Sequence, residues 1–434
     1  MYVQSLASQL QASGIHVLVA APGKQNAAYL HAGLEVRRFA INDKISDLRT
    51  LYGAGDPIAA EHFGHILDDE QPDLVHLHAF TRGASLLVMR EAKERGLPVV
   101  FTYHTPTVSC QRGTLLRWGT EICDGRLDLQ ICTQCTLHGL GMNRLASLLV
   151  GSLPPLVGRT IGRTGRSGGM WTALRMSELV KARQDACRTL LSEVDHIVVL
   201  CRWTHDLLLR NGVPASKMTI SPHGLALADD NDQLPQSIIP SSPLRIVFLG
   251  RLDPTKGADI LIKALRHIPD LPVEVHLYGI AQGNASNVYL RQLQTLADTD
   301  PRITFLPAVP GDQVIPILKT YHALAVPSRW LETGPLVVLE AFAAGIPVLG
   351  SRLGGIAELV THERDGLLVA PDSVNDWVAA LTRIVDQPDL YAQLKDGVRP
   401  PRRIEQVSNE MLELYARMPS KQYTLVPPVE ATLI

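Results

Sequence analysis

The chain is short of the features that would place it in several large classes of protein. Its 41 basic and 43 acidic residues leave a formal net charge of −2, so it carries no electrostatic footprint for nucleic acid. Six cysteines in 434 residues are too few for a disulfide scaffold. No apolar run approaches the roughly 18 residues of a spanning helix, and the first residues lack the basic-then-apolar order of a secretory signal. A cytoplasmic protein is expected. Apart from a duplicated α/β pattern there is no long internal repeat. What is present is 46% hydrophobic against 19% charged residues, a core-forming composition in a chain long enough for two domains of about 200 residues.

Short apolar runs alternate with helical stretches along the whole chain, the mark of parallel sheets. YVQSLASQLQASG predicts an amphipathic helix ending at Gly14, and IHVLVAAP the strand after it. There follow a helix around IAAEHFGHILDDE, the strand DLVHLHAF, a helix through SLLVMREAKERG and the strand LPVVFTYHTP. A long helix from Trp171 to Glu193 leads to the strand DHIVVLCRW, a helix through Arg210, and MTISPHG. A Rossmann-like half normally opens with a strand and a glycine-rich turn. Here a helix starts at residue 2, so the first domain, 1–227 with a cysteine-containing insert over about 105–170, is expected to lack its first strand. Residues 228–243 are rich in Asp, Ser and Pro and predict a linker. LRIVFLG, VEVHLYG, ITFLPAV, YHALAVPS and IPVLGS then predict five strands of a complete doubly wound half over 244–395. Residues 396–434 predict a helix ending near Met418 and a tail.

The chemistry concentrates in WLETGPLVVLEAFAAGIPVLGSRLGG, from Trp330 to Gly355. Pro335 suits a first helical position, and LVVLEAFAAG predicts an apolar helix closed by Gly345. The free N–H groups of Leu336 and Val337 would point at whatever lies before the helix, a site for phosphate with the carboxylates Glu332 and Glu340 beside it. A sugar nucleotide offers both phosphates and hydroxyls.

In this half the chain resembles the retaining nucleotide-sugar glycosyltransferases of family 4, which have the GT-B fold of two facing Rossmann-like domains. The resemblance rests on Gly250-Arg251-Leu252 with Lys256-Gly257, then Glu332 and Glu340, then Ala341 to Val348, Ser351, Gly354-Gly355 and Glu358, and finally Asp365 to Val369, all in the family order. It implies that Arg251 and Lys256 hold the donor diphosphate, that Glu332 meets sugar hydroxyls and that Glu340 binds ribose. Gly250, Gly334, Leu336 and Val337 complete the donor surface. It also implies that the terminal helix crosses back onto the first domain, and that transfer needs no metal, since a forked Arg and a mobile Lys neutralise the leaving diphosphate. Asp298-Thr299-Asp300 is expected to be a solvated turn.

On the facing side, His104 follows a strand, where α/β sheets place their ligands. It matches a family histidine at the reaction centre. His76 and His78 share one face of a strand and are acceptor-side candidates with it. Four cysteines, Cys110, Cys123, Cys132 and Cys135, fall within 26 residues, and only the last two have C-x-x-C spacing. They are either the ligands of a structural zinc or unconnected thiols. LASLLVGSLPPLVG is apolar but broken by Pro154-Pro155, and Arg144 to Arg188 holds eight Lys or Arg against Glu178 and Asp185. Such an edge suits either peripheral contact with an anionic membrane or cover for the domain's own core.

The function expected is transfer of a sugar from a nucleotide-sugar donor to a hydroxyl of a glycan, lipid-linked or small-molecule acceptor, in the synthesis of polysaccharide, glycolipid or another cell-envelope glycan. Two alternatives stay open. A nucleotide-sugar epimerase of the same fold would convert donor without acceptor, and a catalytically impaired member would bind donor and transfer nothing.

Overall fold

A computed structural model describes residues 2–45, 47–166, 168–227, 243–280 and 282–419. Residues 228–242 of the expected linker over 228–243, and the tail from 420, lie outside the described residues.

The helix Tyr2–Ala12 opens the chain, and among the described residues no strand precedes it. Strands β1 (Leu18–Gly23), β2 (Ala27–His31) and β3 (Leu34–Ala40) form a sheet in the order β1-β3-β2, β1 parallel to β3 and β2 antiparallel. The β2–β3 hairpin is a departure from the expected alternation. Ala32 and Gly33 both take positive φ, 49° and 80°, the two-residue turn whose twist suits paired strands. Strands β4 (Val75–Leu77) and β5 (Val99–Tyr103) come next. After the short hairpin of β6 (Leu116–Arg117) and β7 (Glu121–Ile122), β8 (His196–Val199) and β9 (Met218–Ile220) complete a parallel sheet in the order β4-β5-β8-β9.

These two sheets are not joined. Val17, just before β1, packs into the cluster around Val100 and Val198, whereas Ala20 packs into the cluster that holds Val75, Leu77 and Phe101 on the opposite face. Alternate side chains of β5 define those faces, so β1 runs in the plane of the larger sheet without pairing with it. All six of its residues remain half-buried. The doubly wound sheet of the first half is therefore in two pieces.

The second half is continuous. Strands β10 (Leu244–Arg251), β11 (Val273–Ile280), β12 (Ile303–Leu306), β13 (Ala323–Val326), β14 (Val348–Ser351) and β15 (Gly366–Val369) form one parallel sheet in the order β12-β11-β10-β13-β14-β15. Five match the expected runs; β15 is an addition from the Asp365–Val369 segment. Trp377, fully buried, anchors the helix Val374–Asp386 over Leu349 and Leu367.

The helix Ile404–Ala416 crosses back to the first half. Ile404, Val407, Met411 and Leu414 share a cluster with Leu6 and Leu10 of the first helix and with Val100 and Val198 of the sheet. Leu225 N–H donates to Arg402 and Ile404 N–H to Leu225, a small bridge that fixes the crossing. The single helix expected from Trp171 to Glu193 is two, Gly169–Leu174 and Met176–Glu193, interrupted at Arg175, whose buried guanidinium pairs with Glu178.

Candidate active site at the domain interface

The donor-side residues come from three turns at the C-terminal ends of β10, β13 and β14, where parallel sheets bind ligands. In the turn after β10, the Asp253 carboxylate takes the Thr255 N–H. Gly257 follows with φ +71°, and a Cβ there would lie 2.0 Å from the Pro327 carbonyl oxygen. Only glycine lets this turn approach the end of β13 so closely. Arg329 braces the contact. Its N–H donates to the Thr255 carbonyl, and its guanidinium reaches Asp259 at 2.5 and 2.8 Å and Asp372 at 2.7 Å. Hydrogen bonds from Arg329, Lys263 and Tyr289 hold the Asp259 carboxyl far below its usual range despite its burial.

That approach delivers Lys256 to Glu332, Nζ to Oε1 at 2.6 Å. Ser328 Oγ donates to the same oxygen at 2.7 Å, while Oε2 has no partner among the described residues. One oxygen of the buried Glu332 is thus committed to the protein and the other is open. Arg251, exposed at the end of β10, has no side-chain partner among the described residues. The Gly354-Gly355 turn closes on this loop. Gly355 N–H donates to the Glu332 carbonyl at 2.7 Å, and a Cβ on Gly355 would fall 2.7 Å from the nitrogen of Gly334.

The helix that follows is Leu336–Ala343, with Pro335 as its N-cap and not its first turn residue, and Gly345 leaves it at φ +73°. Val338 N–H is taken by the Pro335 carbonyl, whereas the N–H groups of Leu336 and Val337 meet no backbone acceptor among the described residues. Glu340 is buried one turn in, and burial raises its carboxyl to about 7.

The first half presents aromatic rings to these turns. His104, at the end of β5, places Nε2 3.0 Å from His78 Nδ1, and its carbonyl accepts from Thr333 Oγ1 at 2.6 Å. His223 stacks on His104 at 6.0 Å and lies against Gly334, whose Cβ would come within 3.3 Å of its ring. Tyr2 sits edge-on to His78, His104 and His223. Burial pushes His104 down to about 4 and His76 and His223 to about 3, and holds His78 well below the usual histidine value. The cluster is neutral at pH 7.

His76 is a correction. It does share a face with His78, at 4.1 Å between rings, but its Nδ1 is bonded to Tyr415 and its Nε2 to Thr102. Nδ1 seats the terminal helix and Nε2 ties the ring to β5, so both nitrogens are occupied and it is withdrawn from the acceptor side. Trp203, which sequence alone left unremarked, stands at the C-terminal end of β8. Its indole N–H donates across the interface to the Glu332 carbonyl at 2.8 Å. Glu358 answers from the second half, accepting the N–H groups of Arg202 and Trp203 at 2.6 and 2.8 Å and so capping the helix Arg202–Arg210. The useful signal for Trp203 was position alone, a strand end facing the cleft.

The four cysteines lie near one another: burial first, and then Cys110, Cys123 and Cys135, push the Cys132 thiol up to about 12. Among the described residues no group of three or more His, Cys, Asp or Glu is arranged to hold a metal ion. Cys132 and Cys135 lie on the helix Leu129–Gly139, where the thiols approach the carbonyls of Arg126 and Leu116, and Cys123 accepts from Gly125 N–H. Asp300 is engaged with Arg302 in a turn between a helix and β12.

Two sheet halves meeting at clustered strand ends, one supplying cations, a carboxylate oxygen open among the described residues and a helix N-terminus, define a two-domain α/β protein with its candidate site between the halves. Residues 1–224 match the family described as "Glycosyl transferase 4-like domain" and residues 229–399 match "Glycosyl transferases group 1". The chain belongs to the family 4 glycosyltransferases, with the GT-B fold. It is 31% identical over 226 residues to a D-inositol 3-phosphate glycosyltransferase of Saccharomonospora viridis, covering 48% of this chain and 52% of that one. It is 32% identical over 189 residues to the enzyme of that name from Rhodococcus jostii, covering 41% of each. The chain thus spans about half the length of these relatives, or less. Among solved structures, a sucrose-phosphate synthase from Thermosynechococcus elongatus superposes with a TM-score of 0.62 at 19% identity, covering 96% of this chain and 92% of that one. Anabaena Alr3699/HepE in complex with UDP and glucose gives 0.61 at 16% identity over 95% and 96%.

Proposed function

We propose that this chain transfers a sugar from a nucleotide-sugar donor to an acceptor hydroxyl with retention at the anomeric carbon, in the synthesis of a cell-envelope polysaccharide or glycolipid on the cytoplasmic side. The observation that carries the proposal is Glu332: one oxygen is fixed by Lys256 and Ser328, and among the described residues the other is open, as are the Arg251 guanidinium and the N–H groups of Leu336 and Val337. This set supports binding of a diphosphate by Arg251, Lys256 and the helix N-terminus, of the sugar by Glu332, and of ribose by Glu340. The Anabaena protein, a fold neighbour in complex with UDP and glucose, agrees with a nucleotide-sugar donor.

Across the cleft, the Tyr2 hydroxyl and His223 Nδ1 are buried without hydrogen-bond partners among the described residues. An acceptor hydroxyl between them and His104 would relieve that cost. Attack from the donor's leaving-group face lets the departing diphosphate take the acceptor proton, and positive charge around the diphosphate then stabilises the transition state more than the bound donor. Arg251 and Lys256 supply that charge without a metal ion.

Calorimetric titration with a panel of UDP-, GDP- and ADP-sugars, followed by NMR of the product's anomeric centre, tests the proposal. Binding, acceptor-dependent turnover and retained configuration support it. Acceptor-free conversion of donor marks the epimerase alternative, and binding with no turnover marks an impaired member. The divided sheet of the first half is the observation that keeps the last outcome in view.

A further inference from the structure

The insert that leaves β5 just after His104 contains two helices built inside out. Arg144–Gly151 turns Ser147 and Gly151 inward, where a Cβ on Gly151 would lie 2.5 Å from Gln134 Cγ. Its Leu145 and Leu149 are each 76% exposed. Pro155–Arg163 repeats the arrangement: Gly158 is buried against Arg175 and Glu178, while Leu156 is 68% exposed. Both helices touch the short helix Gly169–Leu174, which adds Met170 at 71% exposure. A helix that covers a water-soluble core turns its large apolar side chains inward and its small or polar ones outward. Val150 packs on the cluster of Leu137 and Met176, but the largest apolar side chains of these helices point the other way, so cover for the domain's own core leaves them unaccounted for.

Charge identifies what the leucines face. From Leu129 to Ser177 there is no aspartate or glutamate, and there are five arginines. Arg175 is buried with Glu178, but Arg159, Arg163 and Arg166 are exposed and form no ion pair among the described residues. A second copy of the chain would bring the same uncompensated positive rim and be repelled. An anionic bilayer offers acyl chains for the leucines and phosphates for the arginines at the same depth. The two helices are bent by 84° at the Leu153-Pro154 break, and among the described residues no single helix is long and apolar enough to cross a membrane. That shape fits a hairpin lying in the interface.

We propose that the chain docks on anionic membranes through this hairpin, with Leu145, Leu149, Leu156 and Met170 in the acyl boundary and Arg159, Arg163 and Arg166 on lipid phosphates. The proposal goes beyond sugar transfer and does not depend on it. The hairpin belongs to the half that carries His104, so docking would tether the acceptor-side half to a surface that holds lipid-linked hydroxyls.

The test is co-sedimentation of the full chain with vesicles of phosphatidylcholine alone or mixed with phosphatidylglycerol. Binding to the mixed vesicles should be about tenfold or more tighter, and should weaken with salt. The double variant Leu145→Glu/Leu149→Glu should lose binding altogether, and Arg159→Ser/Arg163→Ser should lose the preference for anionic lipid. The second variant changes only exposed side chains, so it decides the matter should the first misfold by near-ultraviolet circular dichroism. Failure of the native chain to bind mixed vesicles overturns the proposal, as does binding that both variants retain. A dimer in gel filtration that Leu145→Glu/Leu149→Glu dissociates also overturns it, since the leucines would then face a second copy.

Discussion

The two halves of this molecule use one architecture to different tolerances. The second has a single six-stranded sheet, turns locked by Gly257 and Gly355, and a site whose charges are placed by hydrogen bonds to neighbours. The first has its sheet in two pieces and gathers four neutral histidines where the second gathers ions. The diphosphate site we propose needs a placed cation, and the close approach at Gly257 places Lys256. A surface that must accept a neutral hydroxyl needs polar atoms left unpaired, and burial of uncharged rings provides these at the expense of acid stability.

The contrast can be broken most strongly at Arg251. Because its guanidinium pairs with nothing among the described residues, Arg251→Ala should leave circular dichroism and melting unchanged while turnover falls about a thousandfold. Normal turnover by the folded variant would remove Arg251 from the site.

Acid should separate the halves next. His76, His104 and His223 have folded-state values near 3 to 4, and His78 is also lowered, against about 6.5 for a free histidine. The unfolded chain then binds more protons, so their contribution is intact above pH 6.5 and is lost as pH falls toward 4, at up to about 1.4 kcal/mol per pH unit for each group. Urea unfolding followed by tryptophan fluorescence should show Trp203 exposed before Trp377 at pH 5 and closer together at pH 7.5. Simultaneous transitions at both pH values would contradict the difference between the halves.

Glu340 has the opposite sign. With its carboxyl raised to about 7, its burial is favourable when protonated, and that contribution falls as pH rises from about 4.5 through 7. Glu340→Gln should raise stability at pH 8 by roughly 1–3 kcal/mol and abolish any tightening of donor binding between pH 6 and 8. A variant that binds donor with the native pH profile would exclude ribose contact by this carboxylate. The smallest effect is expected at the clasp. Glu358→Ala uncaps the helix Arg202–Arg210 and should cost about 1 kcal/mol by denaturant titration, with the native value if the cap is idle.

How far the sequence could be read follows the same divide. The second half is governed by local rules: strand runs such as LRIVFLG and VEVHLYG became β10 and β11, and of the four donor-side residues that the resemblance singled out, Lys256 and Glu332 meet directly. Pairing was invisible, since nothing in one dimension says that Lys256 is held by Glu332 or that Arg329 spans Asp259 and Asp372. In the first half, the β2–β3 hairpin hid in AAYLHAGLEVRRFA because its turn uses Ala32, a residue that seldom takes positive φ. His76 and His78 looked alike because alternation gives a face and not a partner. C-x-x-C spacing places Cys132 and Cys135 on one helix turn, and Cys110 and Cys123 lie near enough to act on them, but spacing does not say whether four neighbouring thiols form a ligand set.

The helix Ile404–Ala416 has a consequence for how the protein is made. Its Ile404, Val407 and Met411 complete the packing over Val100 and Val198, so the half synthesised first lacks part of its interior until residues past 411 have left the ribosome. The second half, whose residues are contiguous, can close on its own beforehand. Order of synthesis and order of completion are thus reversed, and a fragment ending at residue 399 should preserve the later-made domain and leave the earlier one prone to aggregate.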